Sequence, residues 1–327
     1  MNIESIKRKF PVLYQLYLCA KDRKYLEDNR KQSKLIHNMN QGQIENYLAD
    51  LYEKWIGHKL DWNNLRTWTE KMQWEKIYDD DPRKIICADK YAVRQWVADR
   101  IGEEYLIPLI GIWDKYEQIN FKTLPEKFVM KTNHSSGDVV IIRNKSAMSL
   151  ADKIGLKRKM QTALQTDFGA VLGELHYSLI PPKIIAEEII GKEDQDLRDY
   201  KFLCFNGKAY YCCVDFDRFT KHKRNVYDLN WNLQSWNTGD YDNYLENFPK
   251  PKNFEKMIEL VECLAKDFSH VRVDFYNVDG KIYFGEMTFT SASGLHKFTT
   301  GESDLALGEL WRIDTSKRRS SYLKLLK

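Results

Sequence analysis

The sequence lacks the features that mark several common classes of protein. Its six cysteines form no CxxC pair and no regular ladder, and no secretory signal precedes them, so we expect reduced thiols in a cytosolic protein. No HxxxH or H-x-E arrangement indicates a zinc site, and no apolar run is long enough to span a bilayer. The 51 basic and 47 acidic residues nearly balance, which excludes a dedicated nucleic-acid-binding protein.

The chain is nevertheless well supplied with core-forming residues. Of its 327 residues, 43% are hydrophobic and 13% are aromatic, enough for one large or two modest globular domains. The periodicity of the apolar residues changes near residue 125. Before that point, residues 43–56 and 67–78 repeat at helical spacing, and Asp89 is placed to cap a helix that stops at Gly102. We therefore predict a mostly helical first third.

After residue 125, short runs of β-branched and aromatic residues predict strands. These runs are residues 128–132, 139–143, 183–189, 199–205, 209–216, 271–276 and 281–289. Asn206-Gly207 joins two of them and predicts a type I′ hairpin, because both residues tolerate the positive φ that this turn requires. A helix with one apolar face is expected from Asn253. The whole pattern predicts an α+β protein.

The last predicted hairpin carries the most informative polar residues. A two-residue turn at Asp279-Gly280 would place Asp274 and Glu286 on opposite faces of the sheet. A three-residue loop from Val278 to Gly280, with Gly280 in the left-handed conformation, shifts the register by one residue and is the arrangement that we predict. One face then carries Arg272, Asp274, Glu286 and Thr288.

Two carboxylates on one face of a hairpin can bind magnesium. As diagonal neighbours, Asp274 and Glu286 would have Cβ atoms roughly 7–8 Å apart, close enough to share a hard cation with phosphate oxygens. The alternative is a solvated polar sheet face that binds no ligand.

A second group of residues suits phosphate binding. Lys131 lies at the end of one predicted strand, and a small polar loop that contains Gly137 leads to the next strand. A lysine at a strand edge neutralises phosphate charge, and the N–H groups of a Ser-Ser-Gly loop can approach phosphate oxygens, so the loop could serve as a flexible lid. An ordinary polar hairpin turn is the alternative. The chain contains no GxxxxGK[ST] P-loop.

The third candidate is the end of the predicted strand 183–189 together with the DYKF segment. Glu187, Glu188 and Ile189 resemble a hinge that contacts adenine, and Asp199 could hold ribose hydroxyls. Two surface glutamates would produce the same pattern.

Together these segments resemble the ATP-grasp proteins of the teichuronopeptide-biosynthesis (TupA-like) branch. The resemblance covers about residues 65–310 and rests on TWTEKMQWEKIYD, ADKYAVRQWV, EEYLIPLIGIWDK, LPEKFVMKTNHSSG, IIAEE, DYKFLCFNGK and RVDFYNVDGKIYFGEMTFT, with the Ser-Gly after it. It implies an ATP-grasp fold, in which two α+β lobes hold ATP between antiparallel sheets. The expected regions are a mostly helical part (1–124), a lid lobe (125–190), a C-terminal lobe with the metal site (191–313) and a basic tail (314–327).

The resemblance also implies roles for individual residues. ATP is expected at Lys90, Lys131, the lid residues Asn133, Ser135, Ser136 and Gly137, the hinge residues Glu187, Glu188 and Ile189, and Asp199 with Lys201. Magnesium is expected at Asp274, Glu286 and Thr288, and the expected catalytic side chains are Arg272, Lys131 and Arg224. Thr288 departs from the asparagine that is usual in the superfamily, and the lid has one glycine where several are common. The number of metal ions and the mode of lid closure are therefore left open.

Two basic segments are candidates for binding further partners. Arg218, Lys221, Lys223 and Arg224 lie in what we predict to be a loop after a strand. Such a cluster could hold an anionic acceptor, such as a uronic acid or a diphosphate-linked sugar, and a solvated loop is the alternative. The tail SKRRSSYLKLLK is amphipathic enough for weak peripheral contact with a membrane.

The implied function is that of an ATP- and magnesium-dependent carboxylate-amine ligase. It would join an amino acid or amine to an acidic sugar of a surface polysaccharide. The expected location is the bacterial cytoplasm, with a peripheral position at the inner membrane as the alternative. A glycosyltransferase is an alternative from another class, because Asp215-Phe216-Asp217 fits the DxD pattern that holds a nucleotide-sugar through a divalent metal. A sugar kinase on the same fold would use the same phosphate-binding groups.

Overall fold

The computed structural model describes residues 7–191, 197–216, 221–239, 241–316 and 320–327. Its N-terminal part is helical, with α1 (Pro11–Asn38), α2 (Gln41–Ile56), α3 (Trp68–Tyr78), α4 (Arg83–Ala88) and α5 (Val93–Ile101). A capping box starts α3, where the Thr67 side chain accepts a hydrogen bond from the backbone of Glu70. Asp89 does cap the approach to α5, since its carboxylate accepts from the N–H groups of Tyr91 and Ala92. Within the described residues, no helix is both long enough and apolar enough to cross a membrane.

The first sheet is four-stranded and antiparallel. It contains β1 (Leu109–Trp113), β2 (Phe128–Thr132), β3 (Val140–Ile142) and β4 (Ile184–Glu187) in the order β1-β4-β2-β3. Helix α6 (Leu150–Gln165) covers one face, and the short helices α7 (Gly169–Leu172) and α8 (Leu175–Ser178) lead into β4. The sequence analysis did not predict β1, so the first sheet begins inside the stretch that was expected to be mostly helical.

The second sheet is five-stranded and also antiparallel. It contains β5 (Asp199–Phe205), β6 (Lys208–Phe216), β7 (Lys223–Asp228), β8 (His270–Val278) and β9 (Lys281–Thr288) in the order β7-β6-β5-β8-β9. Helix α9 (Phe254–Ala265) packs Phe254 and Met257 into the core on one face. The predicted turn at Asn206-Gly207 is present, with φ angles of 50° and 79°.

Strand β7 corrects the predicted basic loop. Lys223 and Arg224 are extended and pair with β6, opposite Phe216 and Asp215. Lys221 precedes the strand, and Arg218 lies outside the described residues. Lys223 and Arg224 therefore belong to a strand and not to the predicted loop.

The β8–β9 hairpin has a shorter turn than we predicted. Val278 pairs with Lys281, so the loop consists of the two residues Asp279-Gly280. Their φ angles of 53° and 98° are both positive, as a type I′ turn requires. The predicted three-residue loop is therefore wrong.

The predicted shift in register between β8 and β9 is present, but it comes from a β-bulge at Gly285 and not from the turn. Phe275 pairs with Phe284, whereas Asp274 pairs with Glu286, which leaves Gly285 as the extra residue. A Cβ atom at Gly285 would lie 3.0 Å from the Asp274 carbonyl oxygen, closer than side chains normally approach. The predicted common face is thus present, but Asp274 and Glu286 are direct partners rather than diagonal neighbours.

The C-terminal segment packs against the helical part of the protein. Helix α10 (Gly301–Leu310) is followed by α11 (Tyr322–Leu325), and Tyr322 and Leu323 are buried in a cluster with Ile36. These two apolar side chains are therefore not available to a membrane, whereas Leu325 is exposed, and the predicted membrane contact of the tail stays a prediction. Lys317, Arg318 and Arg319 of the same segment lie outside the described residues.

Candidate functional site

The second sheet has one apolar and one polar face, because successive side chains along a strand point to opposite sides. Phe202, Val214 and Val273 belong to the core on the α9 side. The opposite face carries most of the predicted site residues: Asp199 and Lys201 on β5, Arg224 on β7, Arg272 and Asp274 on β8, and Glu286 and Thr288 on β9. The structure therefore brings these residues together on adjacent strands.

Arg272 is the centre of the polar face. Its guanidinium donates to both carboxylate oxygens of Asp274, at 2.7 and 2.8 Å, and to Glu286 at 2.6 Å. It also donates to the hydroxyl of Thr288 at 3.0 Å. All three predicted metal ligands thus contact one arginine.

Lys201 completes the ion network from the neighbouring strand. Its Nζ atom lies 2.6 Å from Asp199 and 2.7 Å from Asp274, and all three side chains are buried. Burial tends to lower the pKa of Lys201, but the two carboxylates outweigh it and raise the pKa above its usual value. Lys201 is therefore a permanent cation of this face.

The two carboxylates of the hairpin respond differently to burial. Burial raises the pKa of Asp274 above its usual value even though Arg272 and Lys201 oppose the shift. Burial acts in the same direction on Glu286, but Arg272, Lys90 and Lys201 hold the pKa of that carboxyl well below its usual range. Glu286 is therefore ionised near neutral pH.

Lys90 connects the second sheet to the lid loop. Its Nζ atom donates to the carbonyl of Ser135 at 2.7 Å and lies 4.0 Å from Glu286. Its backbone N–H also donates to the carbonyl of Asn133. One lysine thus reaches both the acidic hairpin and the loop that the sequence assigns to phosphate.

Lys131 projects from the first sheet and is paired with a predicted hinge residue. Its Nζ atom lies 2.6 Å from the buried Glu187, which is two residues beyond Ile185, the partner of Lys131 on β4. Arg94 on α5 lies 3.5 Å from the same carboxylate. Sequence reasoning missed Arg94, because its distance from Glu187 in the chain gives no sign of the contact.

The lid loop offers fewer groups to a phosphate than predicted. Asn133 is buried, and its side chain bonds to the backbones of Lys183 and Pro181. Ser135 is also buried, with its hydroxyl on that of Thr132. These two side chains are thus used within the protein, so phosphate contacts from this part of the loop stay a prediction about its backbone N–H groups.

The exposed part of the lid loop is Ser136 with Gly137. Gly137 has a φ of 82°, and no atom lies within 4 Å of the position that its Cβ would take. Beyond the hinge strand, Glu188 is exposed and its backbone N–H donates to the carbonyl of Pro108, whereas Ile189 is half-buried.

Arg224 is held in a second ion pair on the same face. Its guanidinium donates to both carboxylate oxygens of Asp215, at 2.7 and 3.2 Å. The Asp215 carboxylate is buried, and it also lies 3.2 Å from His222. Burial would raise its pKa, but Arg224 and Lys201 lower the pKa well below its usual value. Arg224 and His222 thus contact this carboxylate, and Asp217, the second aspartate of the DxD pattern, lies outside the described residues.

The loop after β9 was not predicted as part of the site. In the turn Ser291–Gly294, three consecutive residues from Ala292 have positive φ angles. Gln73 on α3 donates to the carbonyls of Ser293 and Gly294, and Arg272 donates to the Ser291 hydroxyl. The Ser-Gly of the sequence signals this loop, but its conformation depends on contacts with a distant helix.

The predicted magnesium ligands fit a hard cation in their chemistry. Within the described residues, no group of three or more His, Cys, Asp or Glu side chains could hold a metal ion. Asp274, Glu286 and Thr288 provide two carboxylates and one hydroxyl on one face, which are oxygen donors of the kind that magnesium prefers. Two carboxylates are too few for a complete coordination shell, so this set suits a cation that brings phosphate oxygens with it.

One family model and several solved structures match this chain. The model of the family described as TupA-like ATPgrasp matches residues 70–312. No protein of curated function matches. Among solved structures, D-alanine–D-alanine ligase from Bacillus anthracis is similar at 17% identity and a TM-score of 0.36, over 62% of this chain and 55% of that chain. L-amino acid ligase from Bacillus licheniformis is similar at 13% identity and a TM-score of 0.37, over 69% of this chain and 46% of that chain. This chain thus spans about half the length of these two proteins.

Proposed function

Because the chain belongs to the TupA-like ATP-grasp family, we propose that it is an ATP-dependent carboxylate-amine ligase that uses the polar face of the second sheet. The observation that carries the proposal is the direct pairing of Asp274 with Glu286, with Arg272 between them and Lys90 reaching in from the lid loop. This arrangement gathers acidic metal ligands and phosphate-binding cations at one point. The family match and the predicted ATP-grasp fold agree.

The proposed reaction has two steps. An oxygen of the substrate carboxylate attacks the γ-phosphorus of ATP, the bond to the β–γ bridging oxygen breaks, and ADP leaves. The nitrogen of the amine then attacks the acyl carbon and loses a proton, and inorganic phosphate leaves as the amide forms. Neither step needs a protein nucleophile, so the protein contributes position and charge.

The side chains divide these tasks by location. Lys90 and Lys131 offset the negative charge of the phosphates, and Arg272 stabilises the phosphoryl group as it transfers. Asp274, Glu286 and Thr288 would hold magnesium, which would offset the negative charge of the phosphates. Lys131 must break its ion pair with Glu187 to bind phosphate. Arg272 must likewise break part of its contacts with Asp274 and Glu286.

The most specific part of the proposal is the identity of the two substrates. Arg224 and the half-buried His296 lie at the β7 side of the polar face, and burial together with Arg224 and Arg272 lowers the pKa of His296 to about 4. His296 is therefore neutral near pH 7, and the two arginines whose charge lowers its pKa suit an acid. We propose an acidic sugar of a surface polysaccharide as the carboxylate and an amino acid or amine as the acceptor. The reaction would take place in the cytoplasm, before export of the polymer.

Calorimetry with magnesium-ATP and with UDP-sugars is the first test. The wild type should bind ATP in a magnesium-dependent way, and Asp274→Asn/Glu286→Gln should lose about tenfold or more in affinity. Glu259→Gln, at an exposed carboxylate on α9, is the matched control and should bind like the wild type. Binding of a UDP-sugar without binding of ATP would refute the ligase.

Product analysis then separates the ligase from a kinase on the same fold. With a sugar acid, ATP and hydroxylamine, a ligase releases ADP and phosphate and forms a hydroxamate. A kinase would instead release ADP alone and leave a phosphate ester on the sugar.

A further inference from the structure

The first turns of α1 carry large apolar side chains that are exposed to solvent. Leu13, Leu16 and Tyr17 are spaced three and four residues apart, so they lie side by side on the helix. Their exposed fractions are 60%, 54% and 55%, and Phe10 at the start of the helix is 48% exposed. These four residues are called the outer stripe. Large apolar side chains clustered in this way indicate a surface that contacts something apolar.

The opposite side of the same helix is packed against the protein. Asp22 forms an ion pair with Arg158 of α6 and accepts a hydrogen bond from Thr162. Leu26 and Asn29 are buried, and Asn29 donates to the carbonyl of Asp167. These positions lie about half a helical turn away from the outer stripe, so the stripe faces away from the fold.

The charges around the outer stripe indicate its partner. Lys7, Arg8 and Lys9 precede it, Lys21 follows it, and no acidic residue occurs between Lys7 and Lys21. Residues 7–9 are helical and exposed, so these cations stand beside the apolar side chains. A second copy of the chain would bring like charges together, whereas an anionic lipid surface would attract them.

We infer that α1 is a membrane-docking helix, which lies in the plane of an anionic lipid surface with the outer stripe inserted among the headgroups. An interfacial helix needs an apolar side, a basic border and support along its length, and α1 has all three. The contact is peripheral and does not depend on the identity of the reaction. It would hold the enzyme beside lipid-anchored or membrane-associated molecules.

Co-sedimentation of the full chain with lipid vesicles tests the inference. Vesicles of phosphatidylglycerol and phosphatidylcholine should bind the protein, whereas vesicles of phosphatidylcholine should bind it more weakly, and added salt should weaken the first interaction. Leu13→Ser/Leu16→Ser should lower the partition coefficient by about tenfold or more, since each leucine loses its apolar transfer. Leu233→Ser is the matched control, because this leucine is also 54% exposed but lies in the segment after β7, outside α1.

Several results would overturn the inference. One is the absence of binding to anionic vesicles by wild-type protein that is folded by circular dichroism. Another is an equal loss of binding in Leu13→Ser/Leu16→Ser and Leu233→Ser. A third is a dimer in light scattering that the double variant converts to a monomer, because it would assign the outer stripe to a second copy of the chain.

Discussion

Protonation of His270 offers a quantitative test of how strand β8 is held in the protein. His270 is fully buried two residues before Arg272, and its ring lies between Phe205 and Trp311. Its Nε2 atom is 3.0 Å from the indole nitrogen of Trp68, which can only donate, so Nε2 accepts. Its Nδ1 atom must then carry the proton and donate to a backbone carbonyl 3.1 Å away. A second proton on Nε2 would face the indole N–H directly.

The sign of the pH effect follows from this geometry. Burial lowers the pKa of His270 to about 3, with Lys84 and Arg272 contributing in the same direction. Between that pKa and the ordinary value, the unfolded chain binds a proton that the folded chain does not. The stabilisation from neutral His270 is therefore complete above the ordinary histidine pKa of about 6.5 and is lost as the pH falls, by about 1.4 kcal/mol per pH unit.

His270→Gln isolates this contribution from all other titrating groups, because they are present in both proteins. At pH 7 we expect the variant to be less stable by about 1–3 kcal/mol, through lost hydrogen bonds and packing. At pH 5 the difference should shrink by about 2 kcal/mol, because glutamine does not titrate. Urea unfolding followed by tryptophan fluorescence at both pH values measures the two free energies of unfolding.

The result that would refute this reasoning is a difference in stability between the two proteins that stays the same at pH 7 and pH 5. The slope of the free energy of unfolding against urea concentration should be the same at both pH values. A change in this slope would mean that the folded or the unfolded state has changed in compactness, and the two free energies should then be compared only between conditions with equal slopes.

Three further predictions concern the site itself. Lys131→Met should weaken ATP binding by about tenfold or more through loss of a charge-assisted contact, whereas Lys122→Met, at an exposed lysine of the same lobe, should leave calorimetric affinity unchanged. Gly285→Ala should destabilise the hairpin by about 1–3 kcal/mol, because its Cβ would crowd a backbone oxygen 3.0 Å away, and urea unfolding measures this. Gln73→Leu should lower the free energy of unfolding by about 1–3 kcal/mol and reduce turnover, because two buried carbonyls of the loop after β9 lose their donor; unchanged turnover would separate that loop from catalysis.

The strands with strong local patterns could be predicted from the sequence. Alternation and β-branched residues identified β2, β5 and β6 within one residue of their bounds, and Asn206-Gly207 identified the turn between the last two. Strand β1 was missed because its five residues follow a helical stretch and include Gly111, so the local signal is weak. It becomes a strand through its pairing with β4, which is a long-range contact.

The candidate site was predictable in its residue types but less so in its contacts. The face shared by Asp274 and Glu286 was predicted correctly for a wrong reason, since a turn and a bulge can shift the register equally and the sequence does not distinguish them. The burial of Asn133 depends on backbone partners some fifty positions along the chain, such as Lys183. Spacing within a motif carries no information about such partners.

The bulge at Gly285 also bears on how this hairpin can change during evolution. Because the turn at Asp279-Gly280 does not set the register of Asp274 against Glu286, residues can be inserted at the hairpin tip without moving the acidic pair. Loss of a single residue between Lys281 and Glu286 would instead turn Glu286 and Thr288 towards the apolar core. We therefore expect relatives to differ in length at the tip of this hairpin and to keep the length of the strand that follows it.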